Sequence, residues 1–220
     1  MRGRTLEIAS IGTVLWQGAL AAIAWARLPA GSRLPVHWNA DGVANGYADA
    51  GFALSMPAVV TAAVSLLFLI IPRIEPLQTR LSGSAPLLAT TWGSLLALMA
   101  ALEIMVAAPA FGLTMSSTLI IAGVGVMLIV LGNALPKSRP GFFVGFRTPW
   151  AIVDTDNWIA THRLASRTMI MAGALIVVAA SLPIPGTLRA ITICLALVWA
   201  VIPPYLLSYL LWRRRRGGLA

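Results

Sequence analysis

The chain has 220 residues, 59% of them hydrophobic and only 10% charged, and its mean hydropathy is +0.86. A soluble domain carries about 25% charged residues, so the composition excludes an ordinary globular fold and indicates an all-α integral membrane protein. Sixteen Lys and Arg against seven Asp and Glu give a net charge of +9, but most cations sit at the ends of apolar runs, a distribution that argues against direct nucleic-acid binding.

A hydrocarbon core about 30 Å thick requires roughly 20 apolar residues per spanning helix. Six stretches meet that length, at about 6–27, 52–72, 87–108, 115–135, 165–184 and 190–212. They predict a six-transmembrane helix bundle forming a single membrane domain, residues 1–220. The first stretch has Arg2 and Arg4 ahead of it and Ala24-Trp25-Ala26 near its end, as a cleaved signal would. Its length and the five spans that follow favour an uncleaved helix.

Orientation follows the cations. With the N-terminus cytoplasmic, Arg2, Arg4, Arg73, Arg80, Lys137, Arg139, Arg147, Arg163, Arg167 and Arg213 to Arg216 face inward, and only Arg27, Arg33 and Arg189 face outward. An even number of spans then places the C-terminus in the cytoplasm as well.

The first connection, an extracytoplasmic loop over about 28–51, is rich in Gly and Pro, and Leu34 to Asn39 reads as a short extended segment. Alternation would point His37, Asn39 and Asp41 the same way, a trio suited to a cation or to the amine of a peptide. The competing reading gives Asn39 and Asp41 turn hydrogen bonds ahead of Gly42, with Trp38 and Tyr47 anchoring the loop among headgroups. No second cluster of His, Cys or acids completes a metal site, and no cofactor is implied.

Within the spans, Gln17 falls near the middle of the first helix and Glu103 about five residues from the outer end of the third. Glu103 is expected to pair with Arg27, Arg33 or Arg189, or to mark a ligand or proton site. Gln17 and Asn133, the latter near the inner end of the fourth helix, are expected to bond between helices, and Gly123 and Gly125 allow close helix contact. If Glu103, Gln17 and Asn133 converge, the chain is instead a small transporter or channel-like protein. Cys194 lies in an apolar run as inert packing. Pro203-Pro204 should kink the last helix.

The polar exception is the cytoplasmic loop at about 136–164. Pro140, Gly141, Gly145 and Pro149 prevent a long helix, while Phe142, Phe143, Phe146 and Trp150 interleave with Arg147 in the manner of an interfacial segment. Asp154-Thr155-Asp156 is a helix-start signal. On the helix that follows, Trp158 and His162 share a face. Pairing His162 with Asp154 or Asp156, and Thr161 or Ser138 as nucleophile, matches no known spacing, so no catalytic residue is assigned.

At this loop the chain resembles the SdpI family of bacterial membrane proteins. The resemblance rests on Gly132-Asn133-Ala134-Leu135-Pro136-Lys137-Ser138-Arg139-Pro140, on Val144-Gly145-Phe146-Arg147-Thr148-Pro149-Trp150, and on Trp158 with Thr161-His162-Arg163. Leu34-Pro35-Val36-His37-Trp38-Asn39-Ala40-Asp41-Gly42 is similar to an N-terminal domain of unknown function often joined to that family. The resemblance implies a non-enzymatic, multi-pass protein of the bacterial cytoplasmic membrane that confers immunity to a secreted peptide toxin. It also implies capture of a small autorepressor at the membrane when that peptide is present. The toxin-facing residues would be His37, Trp38, Asn39, Asp41, Gly42 and Tyr47. The partner-facing ones would be Asn133, Pro136, Lys137, Arg139, Pro140, Gly145, Arg147, Thr148, Pro149, Trp150, Trp158, His162 and Arg163.

Overall fold

A computed structural model describes residues 2–76 and 78–217, with side chains described for 4–76 and 83–216. The side chains of Arg2 and Arg80, two of the cations used for orientation, lie outside the described residues. The chain forms α1 (Arg2–Arg27), a hairpin of β1 (Arg33–Trp38) and β2 (Ala44–Asp49), α2 (Ala50–Ile74), α3 (Gln78–Ala107), α4 (Thr118–Ala134), the short α5 (Pro149–Val153), α6 (Thr155–Ser181) and α7 (Gly186–Gly217). Six of these helices are long and apolar enough to cross a membrane. The chain is a multi-pass membrane protein.

The spans predicted from hydropathy match α1, α2, α3, α4, α6 and α7, with the largest difference at the start of α6. That helix begins at Thr155, ten residues before the apolar run, because Asp154 accepts hydrogen bonds from the Asp156 and Asn157 amides and caps a polar first turn. Large apolar side chains such as Leu15, Val59, Leu66, Leu119, Leu195 and Val201 stay exposed on the helix faces. In a bilayer those faces meet lipid and cost nothing.

The helices pack as two groups. α1, α2 and α3 form one, and α4, α6 and α7 the other, with α3 against α4 between them. The second group is closely packed: a Cβ on Gly125 would lie 2.7 Å from the Gly173 carbonyl, and one on Gly132 would lie 2.9 Å from that of Ser166. Small residues let two backbones approach where no hydrophobic force drives helices together. Gly125 thus makes the close contact expected of it, whereas Gly123 faces Leu98 on α3.

α7 continues through Pro203 and Pro204. Pro204 has no amide to offer the Ala200 carbonyl, and the Thr168 hydroxyl of α6 donates to that carbonyl at 3.1 Å. Cys194 is exposed on α7 rather than packed.

The two ends of the bundle differ. One carries the hairpin, the α3–α4 connection and the α6–α7 turn; the other carries residues 135–154, the start of α3 and the end of α7. The extended segment predicted at Leu34 to Asn39 is β1, paired antiparallel with β2.

Candidate functional site: a loop that clasps two helix groups

The loop between α4 and α6 is held from three directions. Glu75, just past the end of α2, is buried and accepts hydrogen bonds from the amides of Phe142 (3.0 Å) and Phe143 (3.0 Å). Ser84 of α3 donates to the Arg139 carbonyl and accepts from the Arg139 amide, both at 3.0 Å. A loop that belongs in sequence to the α4–α6 group is therefore fastened to the α1–α3 group by backbone bonds.

From below, α6 supports the loop through Trp158 and His162, both buried and stacked with ring centroids 4.0 Å apart. The Phe146 amide can only donate, so His162 Nε2 accepts from it at 2.9 Å, and Nδ1 carries the proton given to the Trp158 carbonyl at 2.9 Å. Gly145 covers the stack with φ +119, a backbone region that disfavours side chains, and any Cβ there would fall 2.7 Å from both rings. Trp158 Nε1 donates to Ser138 Oγ at 3.3 Å.

The third hold is α7. Thr148 caps α5 by accepting from the Ala151 amide and also bonds to Ser208 Oγ. Ser208 donates to Asn157 Oδ1, Asn157 returns a bond to the Ser208 carbonyl, and Thr161 donates to the same Oδ1. All four side chains are buried. A buried polar network with every member satisfied fixes one arrangement of its elements. Beside it, Trp150 packs among Tyr205, Tyr209 and Trp212 at centroid distances of 5.1 to 5.7 Å. Arg215 pairs with Asp154 and Asp156.

This arrangement divides the residues read from the sequence. Gly145, Thr148, Trp158 and His162 are inside the clasp, Pro140 is buried, and Trp150 is committed to α7. Asn133, Pro136, Lys137, Arg139, Arg147, Pro149 and Arg163 are exposed. His162 is bonded to the Phe146 amide and the Trp158 carbonyl, whereas Asp154 and Asp156 share Arg215, so the three are not brought together. Sequence reading missed Glu75, Ser84, Asn157 and Ser208. Glu75 did carry a signal, being an acid in a flank otherwise marked by Arg73 and Arg80.

At the opposite end, a register shift on either side of His37 interrupts the alternation that would have aligned His37, Asn39 and Asp41. His37 Nδ1 bonds Asn45 Oδ1 at 2.6 Å, and Asn39 Oδ1 accepts from the Asp41 and Val43 amides. Asp41 Oδ1 accepts from the Gly186 amide at 2.8 Å, and Arg189 donates to the Ala40 carbonyl at 3.4 Å. Gly42 lies beside Ser116 and Ser117 of the α3–α4 connection. Tyr47 and Val43 are exposed and Trp38 is half-buried. The hairpin, joined to α1 and α2, thus latches onto the α6–α7 turn.

The expected pairing of Glu103 does not form. Glu103 is 0% exposed and neither carboxyl oxygen has a hydrogen-bond partner among the described residues. Arg27 instead lies over the Phe111 ring, Arg33 donates to the Tyr47 carbonyl, and Arg189 donates to the Ala179 and Leu182 carbonyls. Guanidinium groups that find acceptors near water do not pay to reach a carboxyl in the apolar interior. Gln17 is also 0% exposed and donates to the Met99 carbonyl at 3.0 Å, one turn from Glu103, so those two approach each other while Asn133 does not join them. No group of three His, Cys, Asp or Glu among the described residues could hold a metal ion.

Fold and loop together define a six-span membrane protein whose central loop ties its two helix groups. Residues 137–206 match the SdpI/YfhL protein family, and residues 13–61 match a domain of unknown function, DUF1648. The SdpI/YfhL match spans about a third of the chain, its last two membrane helices and the loop before them. It is 36% identical over 56 residues to the immunity protein SdpI of Bacillus subtilis (strain 168), a stretch covering 26% of this chain and 27% of that protein. No solved structure matches. Glu75 lies between the two matched segments, outside both.

Proposed function

We propose that the chain is an immunity-type protein of the bacterial cytoplasmic membrane. The hairpin end meets a secreted peptide toxin outside, and the loop end engages a cytosolic repressor. The observation that carries this reading is the latch of Asp41 and Ala40 onto Gly186 and Arg189. It couples the hairpin directly to the turn between α6 and α7, and these two helices hold the loop at the other end. A ligand that displaced the hairpin tip would act on the elements that position the loop. The match of residues 137–206 to the SdpI/YfhL family and the name of the Bacillus relative support immunity as the outcome.

On this reading Arg147, Arg139 and Lys137 are the inward contact residues, since they are exposed, whereas His162 and Trp158 shape the loop from within. The test is survival of a toxin-sensitive host expressing the chain, challenged with a panel of secreted peptide toxins. Protection that is lost on Asp41→Ala, at unchanged membrane abundance, is expected. Survival no better than the empty-vector control across the panel would refute the proposal.

A transport reading retains one support, the partnerless Glu103 beside Gln17. Asn133, which was to complete the path, is exposed elsewhere.

A further inference from the structure

A cleft of about 310 Å³ lies between the two helix groups, walled by Phe68 and Ile71 of α2, Leu87 of α3, Leu131 of α4 and Met169 of α6, and floored by Phe146 of the loop. We propose that this cleft holds one acyl chain of an anionic phospholipid, whose phosphate is bound by Arg147.

The walls are apolar and are formed largely by helices long enough to span a membrane, where lipid is the available filler. The interfacial end is cationic. Arg147 follows Phe146 directly, is exposed, and gives one N–H to the Phe142 carbonyl at 2.9 Å. Its other donors have no partner among the described residues, and Lys137 and Arg139 are exposed on the same loop. The acids of this end have partners of their own: Glu75 accepts from the Phe142 and Phe143 amides, and Asp154 and Asp156 hold Arg215. A guanidinium matches a phosphate with two parallel hydrogen bonds. An apolar slot whose lining runs directly into that residue fits a phospholipid, not a free anion or a neutral lipid.

Two larger grooves, of about 620 Å³ between α6 and α7 and about 610 Å³ between α3 and α4, have no cation next in sequence to any lining residue, as Arg147 is to Phe146. They should accept acyl chains without regard to headgroup and serve as controls.

The test uses the full chain in detergent, titrated with phosphatidylglycerol and phosphatidylcholine of identical chains and read by native mass spectrometry. One phosphatidylglycerol should persist with a preference of roughly tenfold, about 1.4 kcal/mol, because both lipids offer a phosphate but the choline of phosphatidylcholine brings a second cation to a loop that already carries Lys137, Arg139 and Arg147. Arg147→Gln, a surface change that leaves the fold intact, should abolish the preference. Leu131→Trp, which fills the cleft, should also abolish the preference while the other grooves still retain either lipid, and Ala97→Trp in the α3–α4 groove should leave the preference as it was. Equal retention of the two lipids, an undiminished preference in Arg147→Gln, or displacement of the lipid by excess glycerol phosphate would each overturn the proposal. The measurement involves no toxin and no repressor, so its outcome is independent of the immunity reading.

Discussion

Gly145 and His162 fix the loop through one contact. With φ +119 and two ring systems 2.7 Å from any Cβ, Gly145→Ala should cost at least about 1–3 kcal/mol, read as a fall in melting temperature in detergent. An unchanged melting temperature would show that the loop can rise off the Trp158–His162 stack. His162→Ala strands the Phe146 amide and should cost about 1–3 kcal/mol, and His162→Gln, whose amide oxygen can accept from it, should recover part of that. Glu103 should behave in the opposite sense. Its carboxyl has no hydrogen-bond partner to lose among the described residues, so Glu103→Leu is expected to stabilise the chain by about 1 kcal/mol or more. A stability loss there would show that Glu103 has a partner in the membrane.

At the scale of elements, the close approach of α4 and α6 depends on Gly125 meeting Gly173. Gly173→Val should force these helices apart at a cost of several kcal/mol, seen as loss of the folded species on size-exclusion chromatography. The same scale shows what sequence could and could not reveal. The six spans were legible because a bilayer demands long apolar runs, and the Asp154 cap was legible because its chemistry is local. The hairpin was half legible: Pro and Gly marked a break and Leu34 to Asn39 an extended segment, but a shifted register cannot be read from one strand. The clasp was not legible. Glu75 to Phe142, Ser84 to Arg139 and Asn157 to Ser208 join residues 51 to 67 positions apart, and nothing in their spacing announces a meeting. The exposed motif surface was over-read for a related reason. Aromatic and basic residues interleave equally well in a docking face and in a buried support, and only packing sends Trp158 inward and Arg147 outward.

At the scale of the whole molecule, two sets of hydrogen bonds join the helix groups, one at each end. The hairpin tip holds the α6–α7 turn through Asp41 and Ala40, and Glu75 and Ser84 hold the loop. If the groups move as bodies, releasing one end must load the other. The loop reports its own release, because Lys137 and Arg147 are exposed trypsin sites whose cleavage needs a freed backbone. Glu75→Ala should therefore speed cleavage at Lys137 and Arg147 directly. Asp41→Ala, at the far end of the bundle, should speed it by a smaller factor, and the double variant should depart from the product of the two effects by a coupling of about 0.5–3 kcal/mol. Two effects that simply multiply would mean that the ends are mechanically separate. A hairpin-bound ligand could then reach the loop only through some element other than the α6–α7 pair.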